Sequence, residues 1–205
     1  MKKTFSVVVG LFILLMLPLV SFSAGPGPYV KANLGMSFLM DSDFSEPGAT
    51  GTLEFDTGFA SSIAAGYNFG MFRVEGEIGY QKNDIDKGTV NSGGRSVSGS
   101  ISEGDMTAFS LLANCYFDFV NTTPFTPFIT AGLGMAKLEI NNLGGYDFDD
   151  TVFAYQFGAG VGYAINQNFN IDLTYRYFAT DDPEFGGTKA EFASNNVYLG
   201  LRYNF

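Results

Sequence analysis

From Pro28 onward the chain alternates apolar and polar residues with a period of two, as a pleated strand with two unlike faces requires. Eight stretches carry the pattern: 28–39, 53–69, 71–82, 105–119, 125–139, 152–165, 169–179 and 195–205. In the first, Val30, Ala32, Leu34, Met36 and Phe38 oppose Lys31, Asn33, Gly35 and Ser37. The second sets Phe55, Phe59, Ile63, Ala65, Tyr67 and Phe69 against Glu54, Asp56, Ser62 and Asn68. The third sets Phe72, Val74, Ile78 and Tyr80 against Arg73, Glu75, Glu77 and Gln81. The last places Val197, Leu199, Leu201, Tyr203 and Phe205 opposite Asn196, Tyr198, Gly200, Arg202 and Asn204.

A soluble sandwich or a lipocalin also alternates, so the content of the faces has to decide which one points inward. The polar face mixes charges of both signs with Gly, Ser, Asn and Gln, which suits a wet interior. The apolar face is broad, aromatic and continuous. In water it would far exceed the few hundred Å² of apolar patch that a soluble monomer exposes. A lipocalin Gly-x-Trp signature is absent because the chain has no Trp. The expectation is therefore all-β: an eight-stranded antiparallel transmembrane up-and-down β-barrel, apolar outside and polar within.

Connection lengths support this. Tight pieces at Gly70, Val120–Pro124 and Asn166–Asn168 alternate with long polar ones at 41–52, 83–104, 141–150 and 180–194. Outer-membrane barrels pair short periplasmic turns with longer extracellular loops in this way. Tyr67, Phe69, Phe72, Phe117, Phe119, Phe125, Phe169 and Phe205 fall at the turn ends of their strands. Phe38, Phe55, Tyr80, Phe153, Tyr155 and Tyr177 fall toward the loop ends, so two interfacial aromatic belts are expected.

Ahead of the strands, Lys2 and Lys3 precede a short apolar run, 7–20, that Pro18 breaks, and small Ser21 and Ser23 favour cleavage after Ser23. This reads as a cleaved signal peptide over 1–23 and a barrel domain over 24–205; a retained anchor is the alternative. Beyond it no run of about 20 apolar residues follows. Net charge is -10 with 11 basic and 21 acidic residues, which argues against nucleic acid as a partner.

Chemistry narrows further. The chain has no His, which the outer-membrane enzymes of this architecture use to activate water or Ser, so catalysis is not expected. Oxygen-rich Asp41-Ser-Asp43 and Asp147-Phe-Asp149-Asp150 lack the Gly and distal Glu of a calcium loop, and no metal or cofactor is assigned. Cys115 falls on an apolar face and reads as a small hydrophobe. Arg73, Glu75, Glu77, Asp172, Arg176 and Arg202, with Lys31 and Glu54, project inward on parity, where unpaired ions would be costly, so they should pair across the lumen. Inward Gly132, Gly134, Gly158, Gly160 and Gly162 leave room that Arg176, Tyr116 and Tyr198 are expected to fill.

Phe153-Ala-Tyr-Gln-Phe-Gly-Ala-Gly-Val-Gly-Tyr-Ala-Ile165, Asn170-Ile-Asp-Leu-Thr-Tyr-Arg-Tyr-Phe178, Tyr198-Leu-Gly-Leu-Arg-Tyr-Asn-Phe205 and Pro127-Phe-Ile-Thr-Ala-Gly-Leu-Gly134 together resemble the small outer-membrane β-barrel superfamily of opacity-type and surface-antigen, porin-like proteins. The resemblance implies residence in the outer membrane of a Gram-negative cell, with membrane lipid as surroundings. It also implies that Leu201, Tyr203 and Phe205 are read by the barrel-assembly machinery, with periplasmic chaperones escorting the chain. For function it implies a non-enzymatic role in envelope structure and surface interaction, the long loops meeting host or matrix surface ligands. A narrow porin-like channel for small solutes or ions is the alternative. If the closing aromatics are an assembly signal, Phe205→Ala lowers the yield of membrane-inserted barrel more than the stability of barrel already inserted; heat-modifiable migration measures both, and equal yields would refute the signal.

Overall fold

A computed structural model describes residues 25–40, 42–46, 49–92, 95–100, 104–143, 146–185, 188–189 and 192–205; the signal peptide expected at 1–23 lies outside them. Thirteen strands follow in order. They are β1 (Gly27–Leu39), β2 (Ser42–Glu46), β3 (Ala49–Phe55), β4 (Gly58–Asn68), β5 (Phe72–Ser92), β6 (Arg95–Ser100) and β7 (Asp105–Asp118). Then come β8 (Phe125–Leu143), β9 (Tyr146–Ala164), β10 (Phe169–Thr180), β11 (Glu184–Phe185), β12 (Thr188–Lys189) and β13 (Ala193–Asn204).

Eight of these close into an antiparallel barrel in the order β1-β4-β5-β7-β8-β9-β10-β13, with β13 returning to β1 through pairs such as Lys31↔Arg202 and Leu34↔Leu199. Closure leaves no wall strand with an open edge, the condition for spanning a bilayer in β-structure. The outward row of β1 (Val30, Leu34, Met36, Phe38) is exposed, and the inward row (Tyr29, Lys31, Asn33, Ser37) is buried. The other wall strands split the same way over their membrane-spanning part, a buried and largely polar or small-residue row alternating with an exposed apolar one.

Short turns close one end of the barrel, the end expected to be periplasmic. Gly70 takes φ +104°, a left-handed value that suits glycine, while Asn68 Oδ1 accepts its N–H at 2.8 Å. Asn166 Oδ1 likewise accepts the N–H groups of Asn168 and Phe169 at 2.9 and 2.8 Å. Around these turns the aromatic belt is physically continuous in places: Phe72–Phe117 and Phe117–Phe119 lie 5.2 and 5.1 Å apart, and Phe169–Tyr203 and Tyr203–Phe205 both 5.0 Å.

The outer end departs from expectation. The second stretch, read as one strand over 53–69, is broken at Asp56 and Thr57 into β3 and β4. Pairing with β5 slips by one residue across that break, from Phe59↔Lys82 to Phe55↔Ile85, and slips back between Phe55 and Glu54↔Lys87; a one-residue slip reverses which face a residue presents. Phe55, expected in the outer belt, instead packs against the interior cluster beside Ile85. The side chain of Glu54 lies outside the described ones. The ranges expected as loops also carry strands: β5 runs on to Ser92, β8 and β9 form one hairpin up to Leu143↔Tyr146, and β2, β3, β6, β11 and β12 form further hairpins.

The reason is that the period of two continues while its sign reverses. On β8, Ile129, Leu133 and Met135 face outward and exposed, but two residues later the outward positions are Lys137 and Glu139, and Ala136, Leu138 and Ile140 are buried inward. Neighbours reverse at the same level. Tyr80↔Phe109 gives way to Lys82↔Thr107 and Asp84↔Asp105, and Met135↔Phe153 to Lys137↔Thr151 and Glu139↔Asp149. Above this line and just beneath it the inward residues form an apolar plug of Leu39, Ile85, Met106, Leu112, Leu138, Phe178 and Phe192, with Phe55 and Val152 packed on it. Leu138 is completely buried beside solvent-facing Lys137. Leu138→Ala should therefore cost about 2–5 kcal/mol of unfolding free energy, whereas Lys137→Ala should leave it nearly unchanged, both read from urea unfolding of the barrel reconstituted in vesicles.

Candidate functional site

Beneath the plug the lumen holds a polar network. Among the described residues the buried charged ones are Lys31, Arg73, Arg176 and Arg202 against Glu75, Glu77, Asp118 and Asp172, a balanced set. Each is brought inward by strand parity: Lys31 from β1, Arg73, Glu75 and Glu77 from β5, Asp118 from β7, Asp172 and Arg176 from β10, and Arg202 from β13.

Three clusters result. At the centre Arg176 Nη1 donates to both Glu77 oxygens at 2.7 and 2.8 Å, and its Nη2 donates to the Tyr116 hydroxyl at 3.0 Å. Glu77 also accepts from Ser62 Oγ at 3.1 Å and Gln156 Nε2 at 3.3 Å. Toward the turn end Arg73 grips Asp118 with Nε and Nη2 at 2.7 and 2.8 Å, a bidentate geometry that fixes both planes. The Arg73 guanidinium lies 4.3 Å from the Tyr116 ring centre and 5.1 Å from that of Phe128. The third cluster is Asp172, which receives Arg202 Nε and Nη2 at 3.2 Å each and has Lys31 Nζ at 3.3 Å.

Lys31 Nζ makes that contact without hydrogen-bond geometry. Charge holds it, helped by the rings of Tyr116 and Phe128 at 5.4 and 5.9 Å. Glu75 is held by neutral donors: Tyr29 Oη at 2.9 Å, Tyr116 Oη at 2.6 Å and Asn114 Nδ2 at 3.2 Å. Tyr116 thus joins the clusters, donating to Glu75 while accepting from Arg176.

All six lumen residues read from the sequence lie in this network. Asp118, Tyr29, Asn114 and Gln156 were not singled out, although parity places Asp118 and Asn114 on the same face as Tyr116. The packing differs from expectation too. Arg176 does lie against Gly158, but the Phe128 ring occupies the space at Gly160, and Tyr198 packs against Gly35 on the opposite wall. Side chains on both sides therefore close the lumen. An interior void of about 20 Å³ remains between Glu77, Gln156, Phe178 and Tyr198, and one of about 30 Å³ near Asn68, Asp118, Asn170 and Arg202, each about the size of one water.

The outer end has a different character. Of the 21 acidic residues, four are the lumen groups, and every other one falls within 41–56, 84–105, 139–150 or 181–191. Lys82, Lys87, Arg95, Lys137 and Lys189 are the basic residues among or beside them. Lys137 donates to Glu139 at 2.7 Å and faces Asp149 at 3.3 Å, which raises its ammonium pKa and ties β8 to β9. Leu201 and Phe205 are exposed on the outer wall and Tyr203 stacks between Phe169 and Phe205, so the three terminal residues line one outward row. Among the described residues no group of acidic or Cys side chains is arranged to hold a metal. Because Arg176 and Glu77 are both buried, Arg176→Met leaves an uncompensated carboxylate and should lower unfolding free energy by about 3–5 kcal/mol. Adding Glu77→Gln should recover part of that loss in the same urea titration; a double variant as unstable as the two single losses summed would show no coupling between them.

The comparisons with known proteins agree with this architecture. Outer membrane protein PagN of Salmonella typhimurium is 33% identical over 115 residues, 46% of this chain and 48% of PagN, so the alignment spans about half of that relative. Putative adhesin RC1281 of Rickettsia conorii is 25% identical over 212 residues, 86% of this chain and 81% of the relative. Neisserial surface protein A shares the fold at a TM-score of 0.61 and 23% identity, covering 87% of this chain and 97% of that one. The family model for the outer membrane protein beta-barrel domain matches residues 9–205, and the chain belongs to that family, an eight-stranded barrel of the Gram-negative outer membrane.

Proposed function

We propose that this barrel is a non-enzymatic surface protein that anchors an acidic, hairpin-built crown for contact with surfaces outside the cell, in the manner of an adhesin. The observation that carries the reading is the sealed lumen: a charge-balanced network lies under an apolar plug, so the wall serves as an anchor rather than a conduit. An ion passing through would have to separate bidentate pairs such as Arg73–Asp118 and then cross the plug, both unfavourable steps. That a relative aligned over 86% of this chain is named a putative adhesin supports the same reading. Folding through the barrel-assembly machinery with periplasmic chaperones, after removal of a signal peptide over 1–23, is part of the proposal.

The crown is where a partner would act. It rises above the level at which alternation reverses, and it rests on a packed core that holds its hairpins in place. Its acidity disfavours polyanionic partners and suits basic protein surfaces. In planar bilayers the purified barrel should give no steady conductance, whereas stepwise openings would favour the narrow channel. Replacing residues 141–147 by Asn-Gly keeps Ile140↔Phe148 paired across a two-residue turn. This and equivalent trimming of the other hairpins should leave the barrel inserted and lower attachment of expressing bacteria to cultured host cells or immobilised matrix protein. Full attachment by every trimmed variant would overturn the proposal.

A further inference from the structure

Above its last pair with β7, Asp84↔Asp105, β5 runs on to Ser92, flanked by β3 on one side and β6 on the other. The β8–β9 hairpin already turns at Leu143↔Tyr146, just beyond Asn141, the partner of Asp105. The β5–β6 hairpin therefore stands taller by roughly 20 Å at the usual rise of a strand. Among the described residues β6 pairs with β5 alone, so its far edge is open. The other edge of this sheet, β2, carries Asp43 and Glu46, charges of the kind that blunt an edge. By contrast, β6 (Arg95-Ser-Val-Ser-Gly-Ser100) has no Pro, pairs with β5 in unbroken register, and bears a charge only at its turn end. Such an edge presents a row of backbone N–H and C=O groups ready to take another strand.

Charge and sequence narrow what fits there. From Lys87 to Ser102 the chain has no carboxylate, while Asp84 and Asp86 precede this stretch and Glu103 and Asp105 follow it. The hairpin is thus cationic toward its turn, at Arg95, and anionic at its foot, where Asp84 pairs with Asp105. Two such hairpins laid antiparallel bring the tip of each beside the foot of the other. The sequence is also close to its own antiparallel complement. Turned about Gly99, Arg95-Ser-Val-Ser-Gly-Ser-Ile-Ser-Glu103 sets Arg95 against Glu103, Ser96 against Ser102, Val97 against Ile101 and Ser98 against Ser100. Ile101 to Glu103 lie outside the described residues, so this complement is a property of the sequence. Opposite charges directly across a ladder stabilise it, and like charges weaken it.

We infer that the open edge of β6 pairs antiparallel with β6 of a second copy of this chain on a facing cell, so that the crown joins bacteria to one another. Symmetry decides where the second copy sits. An antiparallel ladder between identical edges has its two-fold axis perpendicular to the sheet. The β5–β6 sheet continues the barrel wall, whose normal lies in the membrane plane, so the axis lies there too and the two barrels point toward each other from apposed membranes. Copies in one membrane are related by axes along the membrane normal. Such an axis leaves both β6 strands running the same way with like groups facing like, and no ladder forms. This partner adds to the adhesive role and does not depend on contact with host surfaces.

The test expresses the full chain in a Gram-negative strain that does not clump by itself, in two populations carrying different fluorophores, with heat-modifiable migration confirming equal amounts of folded barrel. Wild-type cells should settle as clumps. Arg95→Glu cells and Glu103→Arg cells should each stay dispersed, because each change sets like charges across the two-fold axis. Mixed one to one, the two variants should clump again, and the clumps should contain both colours, since Glu at 95 then meets Arg at 103 on the facing cell. Dispersed wild-type cells would overturn the inference, as would either variant clumping alone as wild type does, or a mixture of the two that stays dispersed. Clumping of wild type only after a host or matrix protein is added would also overturn it, assigning the edge to a foreign strand.

Discussion

The whole structure depends on one constraint: a backbone in hydrocarbon has no water to satisfy its N–H and C=O groups, so the sheet must close on itself. Closure of eight strands encloses a space just wide enough for side chains. Any ion on the inner row is then cut off from bulk water, and the balance of four cations against four anions among the described residues follows from that enclosure. Arg is preferred over Lys in this setting because its planar fork satisfies a carboxylate with two bonds, as Arg73 does with Asp118 and Arg202 with Asp172. Lys31, a point charge, is left with a Coulombic contact and two aromatic rings.

The same wall meets a second medium above the bilayer, and there the physics inverts. Outward residues now face water, so the apolar row moves inside and builds a core of the kind found in soluble β-proteins. One continuous strand, β8, thus serves two solvents in succession: Leu133 is buried in lipid, and Leu138 is buried in protein. The plug follows from the hairpins extending beyond the membrane. It covers the lumen network from above and packs beneath the hairpins at once.

Most of the wall was legible in the sequence, since a period of two over ten residues admits few alternatives, and parity alone put Arg73, Glu75, Glu77, Asp172, Arg176 and Arg202 inside. What parity does not reveal is which inward groups meet, because partners such as Glu77 and Arg176 are 99 residues apart in the chain. The outer third was misread for a different reason. Ala136-Lys-Leu-Glu-Ile140 alternates as well as the segment below it, but with opposite sign, and beyond that level the polar outward residues of 83–92 and 141–143 resemble a loop although β5 and β8 run on through them. Phe55 was misplaced because the register slips by one residue across the break at Asp56 and Thr57, from Phe59↔Lys82 to Phe55↔Ile85, which flips parity without leaving a mark in composition. A change of sign within an unbroken alternation is the signal that would have located both the plug and the membrane boundary.

That boundary is the claim on which the rest stands, and site-directed spin labelling along β8 tests it directly. In a Cys115→Ser background, single labels would be placed at Ile129, Leu133, Met135, Lys137 and Glu139 of the barrel in lipid vesicles, and their relaxation by oxygen and by a water-soluble nickel chelate compared. Labels at Ile129, Leu133 and Met135 should respond to oxygen and ignore the chelate, and those at Lys137 and Glu139 should do the reverse. Labels at Lys137 and Glu139 that respond to oxygen as Leu133 does would place the upper strands in the bilayer and contradict the account.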